Sequence, residues 1–154
     1  MNEAKKLAKD VLIKPFEGLA KRLPDGRVQA YPDPATKGHP WTIGWGATGP
    51  DINPNTIWTM EQCEDALDHH VEYFWRELIK QSPTIQTALP RRIAAVISWV
   101  YNCGLGNYRV STFKKRINAG DWDGAADQCM LWNKAAGRVL PGLTRRPVSY
   151  THLR

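Results

Sequence analysis

Glu17, Asp33 and Thr42 fall in the first third of the chain, and two of them are carboxylates placed to suit glycosidic bond cleavage. Glu17 follows an apolar-periodic segment and precedes Gly18. Asp33 lies in a Pro-rich turn between two β-type runs, and Thr42 lies inside the second run. Glycoside hydrolysis needs one carboxyl held protonated, to donate to the leaving oxygen, and another kept ionised, to activate water or attack. Burial of Glu17 beside Phe16 would disfavour its charged form, as the acid role requires. Taken alone the pair decides nothing, because a chain with 15 acidic residues offers many such pairs. A solvated surface glutamate is then the simpler account of Glu17.

The elements that must position these residues can be read from periodicity. Ala4, Leu7, Ala8, Val11 and Leu12 fall at helical spacing, which predicts an amphipathic helix over 3–14. Pro15 should kink or end it, because its ring clashes with the carbonyl four residues back. Residues 23–47 are dense in Pro and Gly, with β-type runs RVQAY and WTIGW. These predict a small antiparallel sheet, with one turn at Pro24-Asp25-Gly26 and a longer one from Pro32 to Pro40. The rest of the chain reads as helical. Thr59 with Gln62 forms a capping box opening a helix with a broad apolar stripe from Cys63 to Ile79. Ile93 to Tyr101 is apolar nearly all round and predicts a buried central helix. A short helix over Phe113–Ala119 follows, and Asp121 or Asp123 caps another running to about Trp132. The expected architecture is α+β: a small antiparallel sheet beside a mainly helical bundle, with a cleft between them. With no internal repeat and no long linker, 1–154 reads as a single domain.

Composition narrows the class. Hydrophobic content of 42% and charged content of 23% suit a folded soluble chain of 154 residues, long enough to bury a core without staples. Cys63, Cys103 and Cys129 are odd in number and widely spaced, matching neither a disulfide framework nor a metal-ligand pattern. Reduced, mostly buried thiols are expected, as from synthesis in a reducing cytosol. His69 and His70 are adjacent on a predicted helix and point about 100° apart, so no metal site is expected there. The net charge of +6 favours a polyanionic partner, but the basic residues are dispersed, which disfavours nucleic acid. The opening MNEAKKLAKDVLIKPFEG has no apolar run long enough for a signal peptide or a membrane span.

Several short motifs occur together, in order, along nearly the whole chain. They are FEG at 16–18, AYPDP at 30–34, WTIGWG at 41–46, YNCGLG at 101–106, STFKKRINAGDW at 111–122, alanines at 125 and 126 with Trp132, and GLTRR at 142–146. In this arrangement the sequence resembles the phage lysozyme family related to T-even phage lysozyme. The resemblance implies a lysozyme-like fold and a cofactor-free, metal-independent muramidase. Its substrate would be the β-1,4 bond between N-acetylmuramic acid and N-acetylglucosamine in peptidoglycan. Glu17 matches the family's general acid, Asp33 its second carboxylate, and Thr42 the threonine that helps hold the attacking water. Arg145 and Arg146 match the place where an arginine pairs with the acid. Asn102, Gly104 and Gly106 match the segment that lines the substrate cleft. Trp45 and Trp41 would border that cleft, where aromatic faces can pack on sugar rings, whereas Trp75, Trp99 and Trp132 read as core.

Departures from the family pattern bear on the site. Fifteen residues separate Glu17 from Asp33 and eight separate Asp33 from Thr42, both more than the compact family spacing. Asp25, with seven residues between it and Glu17, is therefore a rival for the second carboxylate. Asp33 is preferred, because an aspartate in a Pro-Asp-Gly turn serves a local purpose there. Pro15, immediately before Phe16 and Glu17, is unusual in the family. The last eight residues, PVSYTHLR, replace an acidic, apolar helix, so 147–154 is read as an atypical, non-native tail with no functional role. The expected protein is a monomeric endolysin without stable membrane insertion. It would stay in the host bacterial cytoplasm until a separate membrane-permeabilising protein releases it to the wall. A lysozyme used in phage penetration, a non-catalytic wall-binding relative and a basic nucleic-acid module are the rivals. The non-catalytic reading predicts loss of the acid, the aspartate or the threonine, and all three are present.

Overall fold

In the computed structural model, residues 2–19, 21–33, 36–135 and 151–154 are described. The chain divides into two compact units, one formed by Met1–Phe16 with Val71–Arg154 and the other by Glu17–His70.

The chain opens with helix α1, Asn2–Leu7, continues as a π-helical segment, Ala8–Ile13, and resumes as α2, Lys14–Glu17. Pro15 therefore does not end the helix, and Glu17 is its last residue. The wider turn explains this: the Lys14 amide bonds back to the Lys9 carbonyl, five residues away. A π-type turn shifts the carbonyls that a proline ring would otherwise meet and absorbs its missing N–H. Gly18, at φ +66°, then turns the chain out of the helix as glycine at this position commonly does.

In the Glu17–His70 unit, strand β1, Val28–Gln29, pairs antiparallel with β2, Ile57–Trp58, in the register Val28↔Trp58 and Gln29↔Ile57. The hairpin expected between RVQAY and WTIGW is reduced to a single bridge, Tyr31↔Thr42, with a second bridge closing Ile43↔Ala47. The partner strand Ile57–Trp58 has only two residues, too few for an alternation to be visible. Helix α3, Met60–Gln81, starts at the expected capping box. The Thr59 amide donates to Gln62 Oε1 at 2.8 Å and the Gln62 amide to Thr59 Oγ1 at 3.1 Å. Val28, Ala30, Ile43, Trp45, Cys63 and Leu67 form the unit's core.

The other unit is helical. A 3-10 turn, Pro83–Thr87, leads to α4, Pro90–Cys103, in which every residue from Ile93 to Val100 is buried. Next come α5, Leu105–Val110, α6, Thr112–Asn118, and α7, Trp122–Ala135. Asp121 caps α7, its Oδ1 accepting from the Gly124 amide at 2.9 Å. Trp99 stacks on Phe113 at 4.8 Å between ring centroids, and Tyr108 meets both edge-on at 6.1 Å. The buried Tyr108 hydroxyl is matched by Ser82 Oγ at 2.8 Å. Leu153 is buried in this unit and Arg154 pairs with Asp127 at 2.8 Å, so residues 151–154 pack against it. All three cysteines are buried thiols. The Trp132 side chain, read as core, lies outside the described residues.

Candidate functional site

Glu17, Asp33 and Thr42 all lie in the Glu17–His70 unit, and each is half-buried. Glu17 is positioned by the end of α2 and the left-handed turn at Gly18. The Phe16 side chain, expected to bury it, lies outside the described residues. The negative charge of Glu17 acts on Tyr31: burial first, and Glu17 second, push that phenol's pKa up. Glu17 therefore lies within electrostatic reach of Tyr31.

Tyr31 in turn is tied to Thr42. Their backbones exchange two hydrogen bonds of 2.9 Å each, the Tyr31 amide donating to the Thr42 carbonyl and the reverse. Thr42 Oγ1 has the Pro40 carbonyl at 3.5 Å, at the outer limit for a hydrogen bond. Asp33 stands two residues beyond Tyr31, at the mouth of the loop that returns to Thr42. Its amide donates to the Gly38 carbonyl at 3.0 Å, its carbonyl accepts from the Lys37 amide at 2.7 Å, and its Oδ1 accepts from the Thr36 amide at 3.1 Å.

Asp25, the rival carboxylate, is differently placed. It is exposed, and its carboxylate accepts from the Arg27 amide at 3.0 Å and from Arg27 Nε at 2.8 Å. The Arg27 backbone bond, followed by the guanidinium, holds the Asp25 carboxyl below the usual carboxylate range. The same turn is closed by the Gly26 amide on the Leu23 carbonyl at 2.9 Å and the Leu23 amide on the Arg27 carbonyl at 2.7 Å. Asp25 thus serves its own turn.

The remaining sequence-derived residues have different settings. Trp45 is only 7% exposed, which leaves little ring face for a sugar, while Trp41 is half-buried. Asn102, Gly104 and Gly106 belong to the helical unit. Asn102 is in α4, Gly104 separates α4 from α5 at φ +91°, and Gly106 is exposed on α5. Arg145 and Arg146 lie outside the described residues. A cavity of about 460 Å³ in the Glu17–His70 unit is lined by Asp51, Ile52, Trp58, Asp65, His69 and His70 among others, and by none of Glu17, Asp33 and Thr42. Burial, then the neighbouring His69, pushes the His70 pKa down. Among the described residues no group of three or more His, Cys, Asp or Glu is placed to hold a metal ion. Sequence reasoning passed over Tyr31 and Thr36. The Asp33-to-Thr36 spacing carried a turn signal that the resemblance, centred on AYPDP and WTIG, did not draw on.

Comparison with known proteins extends this picture. The family model described as phage lysozyme matches residues 14–148. An endolysin of Bacillus phage PZA is 36% identical over 135 residues, 88% of this chain but 48% of that protein. The chain thus spans about half the length of this relative. An endolysin of Acyrthosiphon pisum secondary endosymbiont phage 1 is 34% identical over 140 residues, 88% of this chain and 87% of that protein. Among solved structures, the endolysin from Escherichia coli O157:H7 phage FAHEc1 superposes with a TM-score of 0.63 at 30% identity, covering 86% of this chain and 75% of that one. The muramidase domain of SpmX from Asticaccaulis excentricus has the same fold, with a TM-score of 0.71 at 22% identity, covering 99% of this chain and 95% of that one. With the family match running from the helix that ends in Glu17 through the last helices, the chain belongs to the phage lysozyme family.

Proposed function

We propose that this protein is an endolysin that hydrolyses the β-1,4 bond between N-acetylmuramic acid and N-acetylglucosamine in bacterial peptidoglycan. Glu17 protonates the leaving oxygen, Asp33 acts as the base, and Thr42 orients the attacking water. The observation that carries this reading is the linkage of the three motif segments within one unit. Glu17 acts electrostatically on Tyr31, Tyr31 is backbone-paired with Thr42, and Asp33 follows two residues on. The half-buried Asp33 is also better suited to the role than Asp25, whose carboxylate is committed to Arg27. A direct displacement needs an acid and a base on opposite sides of the sugar, with space for one water.

On the family resemblance, the Arg145–Arg146 pair is assigned the place of the arginine that pairs with the acid, and Asn102, Gly104 and Gly106 are assigned to the glycan. Relatives include the SAR-endolysin of bacteriophage PS119, 38% identical over 109 residues, 70% of this chain and 64% of that protein. That likeness supports action on the wall from the periplasmic side. No helix among the described residues is long and apolar enough to cross a membrane.

The test is a turbidity assay on outer-membrane-stripped cells, comparing the parent with Glu17→Gln. An amide cannot donate the proton, so lysis should fall by about two to four orders of magnitude at an unchanged melting temperature. Lysis by the variant within tenfold of the parent would refute the assignment of Glu17, and a parent that does not lyse the cells would favour a non-catalytic wall-binding protein.

A further inference from the structure

We propose that Thr36 is a positioning residue for Asp33, its amide holding one carboxylate oxygen and its hydroxyl fixing the loop that carries that amide. The inference rests on Asp33 being the ionised carboxylate of the reaction.

The extra residues between Asp33 and Thr42 pose a mechanical problem. A base must be held to within a fraction of an ångström, yet Asp33 sits at the mouth of a loop longer than the family's compact version. Thr36 answers this with three bonds. Its amide donates to Asp33 Oδ1 at 3.1 Å, its Oγ1 donates to the His39 carbonyl at 2.5 Å, and the same Oγ1 accepts from the Gly38 amide at 3.3 Å. The hydroxyl thus works as donor and acceptor at once, joining Asp33 to the far side of the loop. Lys37, beside it, is held at φ +60°, a left-handed conformation unusual for a residue bearing a side chain. The described part of the loop, from residue 36 onward, is therefore tied together and to Asp33 by hydrogen bonds.

Thr36 itself is exposed, so its side chain has no core to fill, and the geometry assigns it a polar role. An amide donating to a carboxylate oxygen fixes the side chain's direction, and a base has to be aimed at the water it activates. Serine would retain both hydroxyl bonds. Valine keeps the threonine shape and loses both.

The experiment compares the parent with Thr36→Val, Thr36→Ser and Asp33→Asn on soluble, uncrosslinked peptidoglycan strands, measuring kcat and KM. Thr36→Val should lower kcat about tenfold, with KM within about twofold, because the base is misaligned while substrate contacts remain. Thr36→Ser should restore kcat. Should the valine variant fail to fold, Thr36→Ala removes the same two hydroxyl bonds and should show the same changes. A Thr36→Val enzyme with parental kcat would overturn the proposal. So would a serine variant as impaired as the valine one. If Asp33→Asn abolishes turnover while Thr36→Val is silent, only the Thr36 role falls. If Asp33→Asn turns over like the parent, the assignment of Asp33 falls and the Thr36 role falls with it.

Discussion

Replacing Gly44 by alanine should strain the turn that follows Thr42, by an amount that follows from the backbone. Gly44 adopts φ +63° within the turn closed by reciprocal 2.9 Å bonds between Ile43 and Ala47. A left-handed conformation costs a residue with a Cβ roughly 1–2 kcal/mol. The new Cβ would also lie 3.4 Å from Cys63 Sγ and 3.5 Å from Cys63 Cβ, ordinary contact at its near limit, which adds little. In a chain of this size each kcal/mol lowers the melting temperature by about 2–4 °C, so Gly44→Ala should melt about 2–8 °C below the parent. Thermal unfolding followed by circular dichroism measures this. Adding Cys63→Ala in a double-mutant cycle separates the two costs: additive losses assign the whole effect to the backbone, and a smaller combined loss assigns part of it to the sulfur contact. Wall hydrolysis should drop as well, because a displaced turn shifts Thr42 two residues away. A melting temperature within about 1 °C of the parent would show that the turn relaxes freely, and would refute the claim that glycine is required there.

Asp33→Asn should cut wall hydrolysis far more than Asp25→Asn, since Asp25 is exposed and bound to Arg27 within its own turn; the reverse ranking in the turbidity assay would move the base to Asp25. If Asp33 and Thr42 hold a water opposite Glu17, the sugar centre inverts, and NMR of a soluble peptidoglycan fragment should show the α anomer first; initial release of the β anomer would mean that Asp33 attacks directly. Stability should fall at alkaline pH. Burial pushes the Cys129 thiol from 9.0 to about 12 and the Tyr108 phenol from 10.0 to about 12, so the unfolded chain releases these protons first. The stabilisation is complete below about pH 9 and is lost as pH rises toward 12; urea midpoints that stay level from pH 8 to pH 11 would contradict it.

Elements whose signals are local could be read directly from the chain. The Thr59–Gln62 capping box opens α3 as its residue types require, and the nearly all-apolar run from Ile93 emerges as the buried part of α4. Gly120 follows α6 at φ +73° and Asp121 caps α7, because caps and left-handed turns depend on a few neighbouring residues. Glu17, Asp33 and Thr42 were legible as candidates through their motifs. Their setting was not. The pairing of Val28–Gln29 with Ile57–Trp58 joins segments far apart in the chain and too short to show alternation, and only the folded unit selects that register. Pro15 read locally as a kink or an end of the helix, yet the π-helical segment before it, with Ala8, Leu12 and Ile13 buried, lets the helix reach Glu17. The contrast between Asp25 and Asp33 was legible in part: Asp25 is bound by Arg27, two residues on, within its own turn, as the Pro-Asp-Gly signal implied, whereas the half-burial of Asp33 at the mouth of the Thr42 loop was decided by the fold. Periodicity and caps are fixed by neighbours along the chain, whereas register, burial and electrostatic reach depend on residues that meet only when the chain folds.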